Sequence, residues 1–238
     1  MHLLACILTV FTAWYARGDT REFPVWFFHM PEESGAVYAV GYARAYAVYE
    51  SAVAIAVRDA AYQLQIASGS DIRGERLFQT LPGGQIVYQG EKFEEHPINE
   101  VVPVYLDTVQ VGGMILVLAA SRQPNISLPA RRIQPTMTPP DWITTLPDSA
   151  DAMYAVGMSR MYYYEEHSWQ EAERQARYEM AYSFLTRQRQ FLRGTATAEY
   201  GVTATATAVQ LHGLQVVSRW RSDTMCFVLV KARRGLTD

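Results

Sequence analysis

The chain has 238 residues, of which 49% are hydrophobic and 19% charged, with a formal net charge of −3. That apolar content excludes an intrinsically disordered chain. The slightly acidic balance excludes a protein held to nucleic acid by bulk positive charge.

In chain order, residues 3–16 are apolar apart from Thr9 and Thr12. The run is too short to span a bilayer comfortably and reads as the apolar core of an export signal, with a leader over 1–18. Leu3-Leu4-Ala5-Cys6 also has the form of a lipobox, although little sequence precedes Cys6. Two readings of Cys6 stand: a lipid-bearing cysteine that anchors the chain to a membrane, or a small apolar residue of the leader. The second cysteine, Cys226, lies in a late apolar run, so no disulfide framework is expected.

Residues 37–41 form a short apolar strand ended by Gly41. The stretch 44–67 lacks Gly and Pro, and Ala52, Ala56, Ala60 and Leu64 recur every fourth position. That spacing predicts a helix with a narrow stripe of small residues. Strands are expected over 85–88, 101–111 and 114–120, the last two joined at Gly112-Gly113. Five prolines between 123 and 140 predict a stiff extended linker. A second helix is expected to run to about 189, with the stripe Ser168, Ala172, Ala176, Met180 and Phe184. Residues 202–209 alternate Thr and Ala and read as a strand, and 214–221 with 225–232 as a closing hairpin.

The chain repeats itself. Trp26, Pro31, Tyr38, Gly41, Arg44 and Tyr62 recur 116 residues later as Trp142, Pro147, Tyr154, Gly157, Arg160 and Tyr178. The ungapped stretches 24–67 and 140–183 share 15 identities in 44 positions, which implies duplicated units. The expected fold class is therefore α+β: two repeated domains, each a long helix packed on a small antiparallel sheet. The expected divisions are the leader 1–18, a first domain 19–122, a linker 123–138 and a second domain 139–238. A sheet with one helix has one bare face, and the two copies are expected to bury these faces against each other or against another chain.

The pattern Trp-x4-Pro-x6-Tyr-Ala-Val-Gly, the alanine-rich helix and the pair Val216-Val217-Ser218-Arg219-Trp220 with Phe227-Val228-Leu229-Val230 resembles the LPP-twenty lipoprotein family. That family is similar to flagellar outer-membrane assembly proteins of the FlgO, FlgP and FlgT type. The resemblance implies a helix-on-sheet domain in an exported bacterial envelope protein, periplasmic or outer-membrane-associated, without catalytic residues. The first copy departs from the pattern: it lacks a counterpart of Leu211-His212-Gly213 and has Tyr105 in place of the hairpin tryptophan.

Candidate chemistry is thin. Gly157-Met158-Ser159 sits at a strand end like half of a nucleophile elbow, but the second glycine is missing and copy one has Ala43 at the serine position. His167 and Glu171 have i, i+4 spacing, yet no further histidine is near in sequence. No nucleotide-binding motif occurs. Arg44 and Arg160, with Glu50 and Glu166, read as groups fixing the helix starts. Trp26, Trp142, Tyr38 and Tyr154 read as core aromatics. Tyr162, Tyr163 and Tyr164 cannot all be buried on one helix, which points to a partner surface. These readings lead to a non-enzymatic binding or assembly module. It needs no cofactor or metal and takes a protein partner in the envelope or a second copy of itself, but no nucleic acid. The alternative is a small-ligand-binding protein or hydrolase with its site between the domains.

Overall fold

Alanine at every fourth position decides where the two long helices lie. The computed structural model describes residues 21–45, 48–81, 85–189 and 201–233. The leader and Cys6 lie outside them. Strand β1 (Phe23–Pro24) and the single turn α1 (Val25–Phe28) lead to β2 (Tyr38–Arg44) and helix α2 (Tyr49–Ser68). Strands β3 (Gly69–Thr80), β4 (Ile86–Pro97), β5 (Val104–Val111) and β6 (Met114–Ala120) follow, and β7 (Arg132–Ile133) lies in the linker. The second half contributes β8 (Ala152–Arg160), helix α3 (Glu165–Arg189), β9 (Gly201–His212), β10 (Gln215–Arg221) and β11 (Met225–Arg233). The first helix thus starts later than expected, because the strand before it runs on through Arg44.

Ala52, Ala56, Ala60 and Leu64 of α2 are fully buried against the sheet β2-β6-β5. The crossing is so close that a Cβ on Gly41 would stand 2.0 Å from the Ala56 carbonyl oxygen and 2.2 Å from the Ala60 nitrogen. In the second half, a Cβ on Gly157 of the sheet β10-β11-β8 would stand 2.1 Å from both the Ala172 carbonyl oxygen and the Ala176 nitrogen of α3. Only glycine allows a helix backbone to rest on a strand in this way.

This recurrence is local, and the expected architecture of two repeated helix-on-sheet domains is not what the chain forms. Strands outnumber helices among the described residues. Among the described residues the third helix is a single turn. A further sheet, ordered β4-β3-β9, takes two strands from the first half and one from the second. Its β3–β9 ladder runs unbroken from Gly69 opposite His212 to Thr80 opposite Gly201. The physical cause is that each long helix is followed by an extended strand with a free edge. The two edges satisfy each other's backbone groups across the halves.

The hydrophobic core is likewise shared. The face of β2 and β6 turned away from α2, including Val40, Tyr42, Leu116 and Leu118, clusters with Phe23, Trp26 and Phe27 and with Trp169, Ala172, Ala176 and Val228 of the second half. Phe27 is the hinge of this cluster, its ring 6.3 Å from Tyr42 and 5.1 Å from Trp169, edge-on to both. The linker is folded back: β7 pairs with β1, and the Thr136 carbonyl accepts the Trp220 indole N–H at 2.8 Å.

Candidate functional site

Helix α3 touches the first half through charged and polar groups, and these build the site. At the bottom lies a buried cluster. Arg219 of β10 donates through Nε and Nη2 to one oxygen of Glu173 at 3.0 and 2.6 Å, and through Nη1 to the Phe27 carbonyl at 2.7 Å. The Tyr42 hydroxyl donates to the same Glu173 oxygen. Burial holds the Tyr42 phenol well above its ordinary value, so at neutral pH it remains a donor.

One layer outward, Asp59 of α2 accepts the Tyr42 backbone N–H at 2.7 Å, the Gln170 amide at 3.0 Å and the Gln63 amide at 3.3 Å. Burial raises the Asp59 carboxyl above the usual carboxylate range, against the three hydrogen bonds that lower it. An acid whose pKa is raised by folding contributes stability in its protonated form. That stability is present below the ordinary aspartate range and is lost as pH rises through the native value. Gln63 is oriented by Asp59, and its own carbonyl oxygen is buried without a hydrogen-bond partner. Replacing Asp59 with Asn lets Gln63 turn its amide and satisfy that oxygen. Asp59→Asn is therefore expected to unfold at an equal or higher urea midpoint than wild type at pH 7, with the difference shrinking as pH falls toward 4. A loss of more than about 1 kcal/mol at pH 7 would contradict this.

Above this layer opens a groove of ≈ 600 Å³ walled by α2, the end of β4, and α3 with the loop before it. Its floor is the ion pair of Arg177 with Glu95, Nε lying 2.8 and 3.0 Å from the two carboxylate oxygens. Both side chains are more than nine-tenths buried. Burial works against the charge on Arg177, but Glu95 more than offsets it, and the pKa stands above its ordinary value. Nearer the mouth, Arg174 pairs with Glu171 at 2.5 Å. Phe93 of β4 stacks on Tyr178 of α3 at 4.0 Å between centroids, its ring filling the space over Gly74 of β3. Arg76 of β3 ties β4 to α3 by pairing with Glu91 at 3.0 Å and with Glu179. Tyr62 and Tyr162 stand at the mouth, 44% and 49% exposed. Burial, then Glu95, raises the Tyr62 phenol above its ordinary value.

The residues of the repeated signature fall elsewhere. Trp26 is buried and donates its indole N–H to Asp107 at 2.8 Å, and Tyr38 is buried with its hydroxyl on Glu33 at 3.2 Å. Trp142 and Tyr154 are only half-buried, against the expectation that all four aromatics fill the core. Trp142 lies in a single 3-10 turn. Pro31 is half-buried and Pro147 exposed. Gly41 and Gly157 are the two helix crossings. The guanidinium carbon of Arg44 stands 3.6 Å over the centroid of the Tyr164 ring, whereas Arg160 is exposed. Glu50 is exposed and Glu166 buried, so neither pair acts alike in the two halves.

The tyrosine run precedes α3 instead of lying on it, and Tyr163 is 93% exposed. Ser159 is buried and donates to the Arg160 carbonyl at 3.0 Å. His167 is exposed at the groove, edge-on to Tyr164. Among the described residues no three His, Cys, Asp or Glu groups converge on a metal position, and no helix is long and apolar enough to cross a membrane. Cys226 is buried, and burial pushes its thiol far up, which leaves it a poor nucleophile.

Of the repeated residues, Trp26, Pro31, Tyr38, Gly41, Arg44 and their counterparts do not line the groove, whereas Tyr62 and Tyr178 do. The signal that could have found it is the recurrence of Tyr62 as Tyr178, because that one repeated pair supplies two of the groove's rings. No family model matches the chain, and no curated protein or solved structure matches it either.

Proposed function

We propose that this chain is a non-enzymatic binding module of the bacterial cell envelope, exported and held on the periplasmic or outer-membrane side, and that it recognises its target in the groove. The observation supporting the groove is its construction. Elements of both halves converge on it, its floor is a buried ion pair, and two tyrosine rings are left exposed at its mouth. A concave site with a few convergent polar groups is the usual form of a recognition site. The envelope location is supported by the apolar leader, by Cys6 in its lipobox-like setting and by the resemblance to LPP-twenty lipoproteins. The binding reading is favoured over a hydrolase because the groove's histidines, His96 and His167, are exposed, and no hydroxyl or thiol stands with them along its lining apart from the tyrosines.

The test is sedimentation with the envelope fraction of the source cell, after removal of the leader so that a lipid anchor does not hold the chain there. The wild-type chain is expected to be retained and the Tyr62→Ala, Tyr162→Ala variant to be released. Equal retention of the two would overturn the assignment of the groove. Mass spectrometry of the mature N terminus tests export: a lipid-bearing Cys6 or a cleaved leader supports it, and an intact Met1 contradicts it.

A further inference from the structure

We propose that the groove takes a neutral saccharide, with Tyr62 and Tyr162 as the surfaces on which sugar rings lie. This deepens the reading of the groove as the recognition site and rests on it.

Three observations select this class. First, the cations of the groove are already neutralised. Arg177 is held by Glu95 and Arg174 by Glu171. An anionic ligand has to displace a carboxylate from its partner, and a cationic ligand has to displace an arginine or, at Glu94, compete with Lys92. Either exchange strips an existing pair for no net gain. Secondly, the four main rings are divided by role. Phe93 and Tyr178 stack on each other and are committed to the wall, while Tyr62 and Tyr162 keep open faces. An aromatic face is apolar and carries a negative quadrupole, which suits the C–H face of a pyranose. Thirdly, the groups between the rings are mixed donors and acceptors. The amides of Gln63 and Gln170 line the groove, and the exposed His96 and His167 offer ring nitrogens. Hydroxyl groups both donate and accept, so a polyol meets such a set without carrying charge.

The same wall argues against an extended peptide. A peptide could enter by pairing with the outer edge of β4, where β3 is the only neighbour among the described residues. That edge carries Glu91, Lys92, Glu94, Glu95 and Pro97, residue types that oppose strand addition.

The experiment is calorimetric titration of the full chain with two uncharged probes, maltotetraose and chitotetraose, and one anionic probe, tetragalacturonate. Saturable binding of at least one uncharged tetramer is expected, with tetragalacturonate weaker by about tenfold or more. Tyr62→Ala should weaken binding by about tenfold, and Tyr62→Phe, which keeps the ring, should bind as wild type. Circular dichroism melting checks that both variants are folded. Binding of neither uncharged tetramer, equal binding of the anionic one, or unchanged binding by folded Tyr62→Ala overturns the proposal. Groove-dependent envelope retention with no saccharide binding would reject the ligand class and leave the recognition site standing. Loss of both would reject the site as well.

Discussion

Gly41→Ala and Gly157→Ala should each destabilise the chain by about 3 kcal/mol or more, the upper range for overpacking a close contact. In both, the added methyl would stand about 2 Å from a helix carbonyl and an amide nitrogen. These are backbone atoms, so no side-chain rotation relieves the clash, and the helix must lift off its sheet. Lifting α2 exposes a stripe of four fully buried residues, Ala52, Ala56, Ala60 and Leu64. Gly113→Ala is the control, because a Cβ there meets nothing within 4 Å. Urea unfolding monitored by circular dichroism reads the difference. Losses below about 1 kcal/mol at both crossings would mean that the helices do not rest on glycine.

The second large effect is expected at Arg219. Arg219→Met removes the only cation hydrogen-bonded, among the described residues, to the buried Glu173 carboxylate, and a donor from the Phe27 carbonyl. Breaking one side of a buried ion pair costs about 3–5 kcal/mol, because the remaining charge stays out of water. The Tyr42 hydroxyl still reaches Glu173, but a single neutral donor does not replace a guanidinium. Adding Glu173→Leu to Arg219→Met removes the stranded charge and should recover most of the loss. A single variant within about 1 kcal/mol of wild type, or a double variant worse than the single, would show that the pair does not anchor the buried cluster on which Tyr42 and Phe27 of the first half converge.

The parts of this fold that were legible in the sequence are those fixed by local spacing. Four-residue recurrence of alanine places α2 and α3, but the glycine read as the end of the apolar strand lies inside it, at the helix crossing, as Gly41 of β2 and Gly157 of β8. Both hairpins follow from short apolar runs with turn residues between them. The third sheet was hidden because β3 reads Gly-Ser-Asp-Ile-Arg-Gly-Glu-Arg-Leu-Phe-Gln-Thr, too polar and glycine-broken to look like a central strand. Its partner β9 lies far off in the other half, and which free edges meet depends on how the two helices pack. The same dependence hid the groove. Arg177 pairs with Glu95, and Gln170 with Asp59, only after α3 has come to lie beside α2 and β4. Duplication led to an expectation of two domains, whereas the halves share a core and one sheet.

The central claim is that the groove between the halves is where this protein meets its target. Photo-crosslinking in the source cell tests it most directly, with benzoyl-phenylalanine placed in turn at Tyr62, at the groove mouth, and at Ile126, exposed on the linker. A covalent adduct with an envelope component is expected from position 62 and none from position 126. An adduct from position 126 alone, or none from position 62, would contradict it.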